Sequence, residues 1–128
     1  MRQIRLHTYP PAEPEALVYE GKFVQLMMRG QETLVFAPKS LHRFHNEILD
    51  QFFAENGVSH HWRDGQTLVY DTDAATVIGG GRFKVDTVAR HLALYDNSQA
   101  YGRFREDGLA QKIAAADHPW QRYKVEIS

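Results

Sequence analysis

The chain has 128 residues, of which 43% are hydrophobic and 24% charged, and its 15 basic and 16 acidic side chains give a net charge of -1. This is ordinary for one globular domain, and the balanced charge argues against a protein that mainly coats nucleic acid or membranes. The absence of cysteine excludes disulfides, thiolate metal sites and cysteine nucleophiles. Without a bilayer-spanning apolar run or a signal peptide, we expect a cytoplasmic protein.

An alternating pattern over residues 22–28 predicts the first strand, in which Lys22 shares a face with three apolar side chains, Val24, Leu26 and Met28. A second strand is predicted over residues 33–36, with residues 30–32 as the hairpin connection. Lys22 opens the first strand in this prediction. Its ammonium group therefore either reaches solvent or serves a site at the sheet edge.

A helix is predicted to follow, with Ser40 as its N-cap and Asn56–Gly57 as its C-terminal stop. Apolar residues recur between them at helical spacing, namely Leu41, Phe44, Ile48, Leu49 and Phe52. His45 falls inside this apolar arc at about 100° per residue. A lone inward-facing histidine is more often a satisfied core residue than a catalytic one, so the pattern alone favours a structural role.

The second half of the chain predicts four strands and one helix. The strands cover residues 66–70, 74–78, 88–95 and 123–127, and the helix covers about 108–116. All the elements together predict one α/β domain over residues 1–128. Its architecture is a mixed β-sheet with two main α-helices packed on it.

Four histidines raise the question of a metal site, since His42 and His45 lie on the first helix and His60 and His61 in a predicted loop. No carboxylate stands at a telling spacing, and adjacent histidines usually point apart. We therefore expect no metal and no other cofactor. A metal-dependent hydrolase using these histidines is the least favoured hypothesis.

A run of three glycines, Gly79–Gly81, precedes Arg82. The run is neither a Walker loop nor a dinucleotide-binding fingerprint. One interpretation, favoured for the run alone, is a β-bulge or a tight bend between strands. The other is that residues without Cβ let the backbone approach an anion, which Arg82 then binds through two hydrogen bonds.

Four segments in the same order resemble the Janus/ocnus family, which includes protein histidine phosphatases. Residues 21–24 (GKFV) resemble the family's first strand, and residues 44–48 (FHNEI) its helix start with the catalytic histidine. Residues 79–83 (GGGRF) resemble its glycine–arginine signature. Residues 95–102 (YDNSQAYG) resemble its phosphate-binding loop.

The resemblance implies a phosphohistidine-phosphatase-like fold and metal-independent hydrolysis of a phosphohistidine-containing protein or a small phosphoramidate. It implies that His45 is the general base for an attacking water, with transient phosphorylation of His45 as the alternative chemistry. The phosphate-binding residues that it implies are Lys22, Asn46, Arg82, Ser98, Gln99 and Ala100. No nucleic-acid or membrane partner is expected.

The chain departs from the family pattern around the catalytic histidine. Phe44 stands where the animal enzyme has tyrosine, Asn46 replaces an alanine, and the segment between His45 and the glycine run is longer. A non-catalytic module that binds phosphate or a phosphoprotein with the same residues is therefore the second hypothesis. Catalysis requires His45 within reach of the bound phosphate, whereas binding requires only the cations and the loop.

Overall fold

A computed structural model describes residues 3–13 and 15–128 of the chain. Within these residues the protein is one small domain of eight strands and two helices. The strands are β1 (Arg5–Thr8), β2 (Val18–Met28), β3 (Gln31–Pro38), β4 (His60–Arg63), β5 (Thr67–Tyr70), β6 (Ala75–Asp86), β7 (His91–Tyr95) and β8 (Lys124–Ile127), and the helices are α1 (His45–Glu55) and α2 (Leu109–Ala114). No helix in these two ranges is long and apolar enough to cross a membrane.

Six of the strands form one mixed sheet in the order β1-β3-β2-β6-β7-β8. The two outer pairs, β1 with β3 and β7 with β8, are parallel, and the inner pairs are antiparallel. β4 and β5 form a separate antiparallel hairpin. The predicted mixed sheet with two helices is thus confirmed, although strands dominate the fold.

The two helices cover opposite faces of the sheet, so both faces carry apolar side chains. On the α1 face, the core contains Val24, Leu26, Met28, Val35, Ile48, Leu49, Phe52 and Phe53. On the α2 face, it contains Phe23, Phe36, Phe83, Leu92, Leu94, Leu109, Ile113 and Trp120. Because successive strand residues point to opposite faces, β2 contributes to both cores.

β2 is longer than predicted. It begins at Val18, which pairs with Asp86 of β6, so Lys22 lies within the strand rather than at its start. The β2–β3 turn consists of Arg29 and Gly30, both with positive φ (49° and 80°), rather than residues 30–32. A two-residue turn of this kind matches the twist of the paired strands.

β6 runs without interruption through the glycine run, although the sequence predicted that this strand ends at Ile78. A register shift opposite Gln25 and Leu26 leaves Ile78 without a Cα partner in β2. Such a shift marks a β-bulge. The bulge thus lies at Ile78, one residue before the glycines, whereas Gly79, Gly80 and Gly81 pair regularly with β2. The predicted tight bend between two strands is wrong.

The segment that carries His60 and His61 is strand β4, not the predicted loop. It pairs with β5 through a turn at Asp64 and Gly65, whose φ values are 56° and 69°. An Asp-Gly pair between two short strands is a strong hairpin signal. β7 also begins later than predicted, at His91 instead of residue 88.

Helix α1 begins at His45, five residues after the predicted N-cap Ser40. The Glu47 carboxylate accepts the backbone N–H groups of Arg43 (2.9 Å) and Phe44 (3.1 Å). Free amides at the start of the helix thereby gain an acceptor, and this determines where the helix begins.

Two members of the predicted apolar stripe consequently lie outside the helix. Leu41 and Phe44 are exposed, and the Leu41 amide donates to the Pro38 carbonyl in a turn that precedes α1. The inward orientation of His45 is confirmed, because this side chain is buried. The predicted stop at Asn56–Gly57 is also confirmed, with Gly57 at φ 69°.

Candidate active site

Lys22 and Arg82 lie side by side on the central strands β2 and β6. They are direct register partners, so their side chains project from the same face of the sheet, the one that α1 covers. The Lys22 ammonium lies 5.5 Å from the centre of the Phe44 ring. The Arg82 Nε lies 3.2 Å from a carboxylate oxygen of Asp96, and within the described ranges the terminal guanidinium nitrogens have no partner.

His45 is the first residue of α1 and is only 6% exposed. Its Nε2 lies 3.0 Å from the carbonyl oxygen of Gly81. Because a carbonyl only accepts hydrogen bonds, Nε2 carries the proton and donates it. The neutral ring then has its lone pair on Nδ1, the nitrogen that can accept a proton.

The ring of His45 lies directly against the backbone of β6 at Gly80. A Cβ at Gly80 would come within 2.8 Å of His45 Cδ2 and 2.8 Å of the Phe23 carbonyl oxygen. The Gly80 amide in turn donates to the Gly102 carbonyl (3.0 Å). The missing Cβ at Gly80 thus makes room for the His45 ring. This contact explains the glycine at position 80 without the close approach to an anion that the sequence suggested.

Burial lowers the pKa of His45 below its usual value. The hydrogen bond to the Gly81 carbonyl acts in the opposite direction, and the positive charges of Lys22 and Arg82 lower this pKa further. The negative charge of Asp96 raises this pKa, and its effect is the smallest of the five. The net result favours a neutral imidazole at neutral pH, which is the form that can act as a base.

The loop after β7 folds back on itself between Ser98 and Gly102. The Ser98 amide donates to the Gly102 carbonyl (3.1 Å), and the Gly102 amide donates to the Ser98 carbonyl (2.8 Å). Ser98 is 2% exposed, and its Oγ accepts the amide of Tyr101 at 3.2 Å. The amides of Gln99 and Ala100 donate to no group in the described part of the chain, so they are free for an anion.

Asn46 connects three parts of the site. Its Oδ1 accepts a hydrogen bond from the Tyr101 hydroxyl, and its Nδ2 donates to the Gln66 carbonyl at 3.2 Å. Burial raises the pKa of Tyr101 to about 12, so this hydroxyl keeps its proton and remains the donor. The side chain predicted to bind phosphate therefore joins the start of α1 to the loop and to the β4–β5 hairpin. Its backbone N–H, at the second helical position, has no acceptor within the helix.

These groups line one open cleft of about 1160 Å³. Its lining includes every residue that the sequence predicted for the site, namely Lys22, His45, Asn46, Arg82, Ser98, Gln99 and Ala100. A smaller groove of about 380 Å³ also borders Lys22 and Arg82, and its lining includes Lys39, Arg43 and Glu20. The larger cleft exceeds what a single phosphate needs.

The histidines that suggested a metal site bind separate partners. His42 contacts Gln51 at 2.6 Å, whereas His60 contacts Asp50 at 2.9 Å and the Val58 carbonyl at 2.7 Å. Among residues 3–13 and 15–128, no three His, Cys, Asp or Glu side chains are arranged to hold a metal ion. The arrangement instead suits an anion beside one proton acceptor.

Sequence reasoning missed the contribution of the hairpin and of Tyr101 to the site. Trp62, Gly65 and Gln66 line the cleft, but their segment was predicted to be partly a loop. The Asp64–Gly65 turn signal was enough to predict the hairpin. Nothing in the sequence indicated that the hairpin would reach the cleft, because that depends on tertiary packing.

No protein-family model matches the chain, and no curated protein matches it.

We predict that Gly80→Ala displaces the His45 ring and lowers the free energy of unfolding by about 1–3 kcal/mol, because the added methyl group overlaps the ring and the backbone. Gly57→Ala is the control, since its positive φ costs about 1–2 kcal/mol at the far end of α1. Side-chain nitrogen NMR should show the same His45 ring signals in the wild type and in Gly57→Ala, but shifted signals in Gly80→Ala, where Nε2 loses the Gly81 carbonyl as its acceptor. An unchanged His45 signal in Gly80→Ala would contradict the packing argument.

We also predict an energetic coupling between Asn46 and Tyr101. Asn46→Ala and Tyr101→Phe each remove one side of their hydrogen bond, so a double-mutant cycle measured by urea unfolding should give a coupling of about 1 kcal/mol. The hydroxyl of Tyr70 accepts the Val77 amide and makes no bond to Asn46, so Tyr70→Phe combined with Asn46→Ala provides the control cycle. Equal coupling energies in the two cycles would refute a specific interaction between Asn46 and Tyr101.

Proposed function

We propose that the protein hydrolyses phosphohistidine, or a related phosphoramidate, without a metal, and that His45 is the general base. One observation carries the proposal: a buried histidine, with Nε2 held by the Gly81 carbonyl, lies in one cleft with Lys22 and Arg82. The sequence resemblance to the Janus/ocnus family supports this proposal, and it implies a phosphohistidine-phosphatase-like arrangement of the mixed sheet and two helices.

The phosphoryl group is bound by charge and by backbone amides. Lys22 and Arg82 neutralise its oxygens, while the Ser98 hydroxyl and the free amides of Gln99 and Ala100 donate hydrogen bonds. Phosphoryl transfer needs little covalent chemistry from the protein beyond this positioning and charge stabilisation. These groups together form a phosphate cradle, which accounts for binding and for part of the rate enhancement.

His45 supplies the proton transfer. Nδ1 takes a proton from a water molecule whose oxygen attacks phosphorus, so that the P–O bond forms as the P–N bond breaks. The released nitrogen of the substrate is protonated from solvent, and the proton on Nδ1 returns to solvent. A positioned general base contributes about 10²–10⁴-fold to such a step.

The first test compares hydrolysis of a phosphohistidine-bearing protein by the wild type, His45→Ala and Arg82→Ala, with and without EDTA. We expect His45→Ala to lose about 10²–10⁴-fold in rate, because the general base is removed. Arg82→Ala should lose about 10²–10³-fold, because one stabilising cation is removed. EDTA should have no effect.

Two remote variants control for general damage to the fold. His91→Ala and Arg5→Ala remove a histidine and an arginine from strands outside the cleft and should retain activity. Loss of activity in EDTA would contradict the metal-free mechanism. Phosphate binding that requires Arg82, without any turnover, would instead support the binding-module hypothesis.

The pH profile gives a second test. His45 must be neutral to act as the general base, so the rate should rise with pH through the pKa of His45 and then level off. Burial and the two cations lower this pKa, which places the midpoint below about pH 6.5. Lys22→Met removes one of those charges and should move the midpoint to higher pH, whereas the remote Lys124→Met should not. NMR titration of His45 measures the same midpoint directly, and a shift to lower pH would refute the argument.

A further inference from the structure

Trp62 lies on the inner face of the β4–β5 hairpin. It pairs with Leu68, and directly paired residues point to the same side of a two-stranded sheet. Leu68 is buried in the core beneath α1. His60, two residues earlier on the same face, contacts Asp50 of that helix. The indole of Trp62 is thus directed toward the body of the protein rather than away from it.

Despite this orientation, Trp62 is 38% exposed. The indole makes no hydrogen bond and no ring contact with any side chain in the two described ranges. It lines the cleft that contains His45 and Arg82. By contrast, the other tryptophan, Trp120, is buried against Phe36 and Tyr123. An inward-facing but unpartnered aromatic ring beside a cleft offers binding surface.

A second aromatic ring lines the same cleft. Phe44 is 62% exposed although it occupies the N-cap position of α1, where a small polar residue is usual. Its contact with the Lys22 ammonium keeps the ring close to the cations. Two large apolar rings therefore flank a cradle that suits a phosphoryl group, within a volume that a phosphate alone does not fill.

We propose that Trp62 and Phe44 form a ring-binding subsite for the group attached to the phosphoryl group. The preferred ligand is a planar aromatic or heteroaromatic ring joined directly to phosphorus, with the phosphoryl oxygens on Lys22 and Arg82. This inference rests on the proposed function for its anion site. It makes Trp62 a residue that determines specificity, and it disfavours aliphatic phosphoramidates such as phosphorylated lysine.

The test measures calorimetric binding of two non-hydrolysable probes, phenylphosphonate and methylphosphonate, which share the anion and differ in the ring. We expect the wild type to bind phenylphosphonate about three- to tenfold more tightly, the range expected for one aromatic contact. Trp62→Leu should reduce this ratio to near one, with the loss falling on phenylphosphonate. Trp62→Phe should restore part of the preference.

His61→Leu is the matched control, because His61 neighbours Trp62 but lies on the opposite face of the hairpin. It should leave both affinities unchanged. Equal binding of the two probes by the wild type, or a preference that survives in Trp62→Leu, would overturn the subsite and leave the anion site standing. Failure of both probes to bind would overturn the proposed function and the subsite with it.

Discussion

The contact between the His45 ring and strand β6 is the constraint on which the site depends. The ring lies against Gly80 and donates from Nε2 to the Gly81 carbonyl, so it fixes the start of α1 over the middle of the sheet. The same contact explains why a central strand tolerates glycine there, although glycine normally weakens strands. Residues with a Cβ would hold the helix too far away for the hydrogen bond.

The electrostatics of the cleft follow from this arrangement. Burial and the charges of Lys22 and Arg82 lower the pKa of His45. The hydrogen bond to the Gly81 carbonyl raises this pKa but offsets only part of the decrease. The ion pair with Asp96 holds the Arg82 guanidinium beside the loop and occupies only its Nε, so the terminal nitrogens remain available as donors. The site thus combines a neutral base with a positively charged cradle, and the two features support each other because the cations lower the pKa of His45.

Asn46 and the segment after α1 belong to one structural unit. That segment folds as the β4–β5 hairpin, and Asn46 donates to the Gln66 carbonyl beside it. Through Tyr101, the same asparagine also reaches the loop with the free amides. An alanine at this position has no side-chain donor or acceptor for either contact. Asn46 and the hairpin therefore form a coupled wall of the cleft.

Local sequence patterns located six of the eight described strands, the inward orientation of His45 and the stop of α1, because alternation, helical periodicity and glycine chemistry act between near neighbours. They did not predict β1 or β4. They misplaced the start of α1, since Ser40 suggested a cap while the Glu47 carboxylate provides the acceptor. The convergence of Lys22, His45, Arg82 and the loop was expected only from family resemblance. Tertiary structure alone decided that Trp62 lines the cleft and that Asn46 links the start of α1 to Tyr101 and Gln66, because pairing of distant segments leaves no local pattern in the sequence.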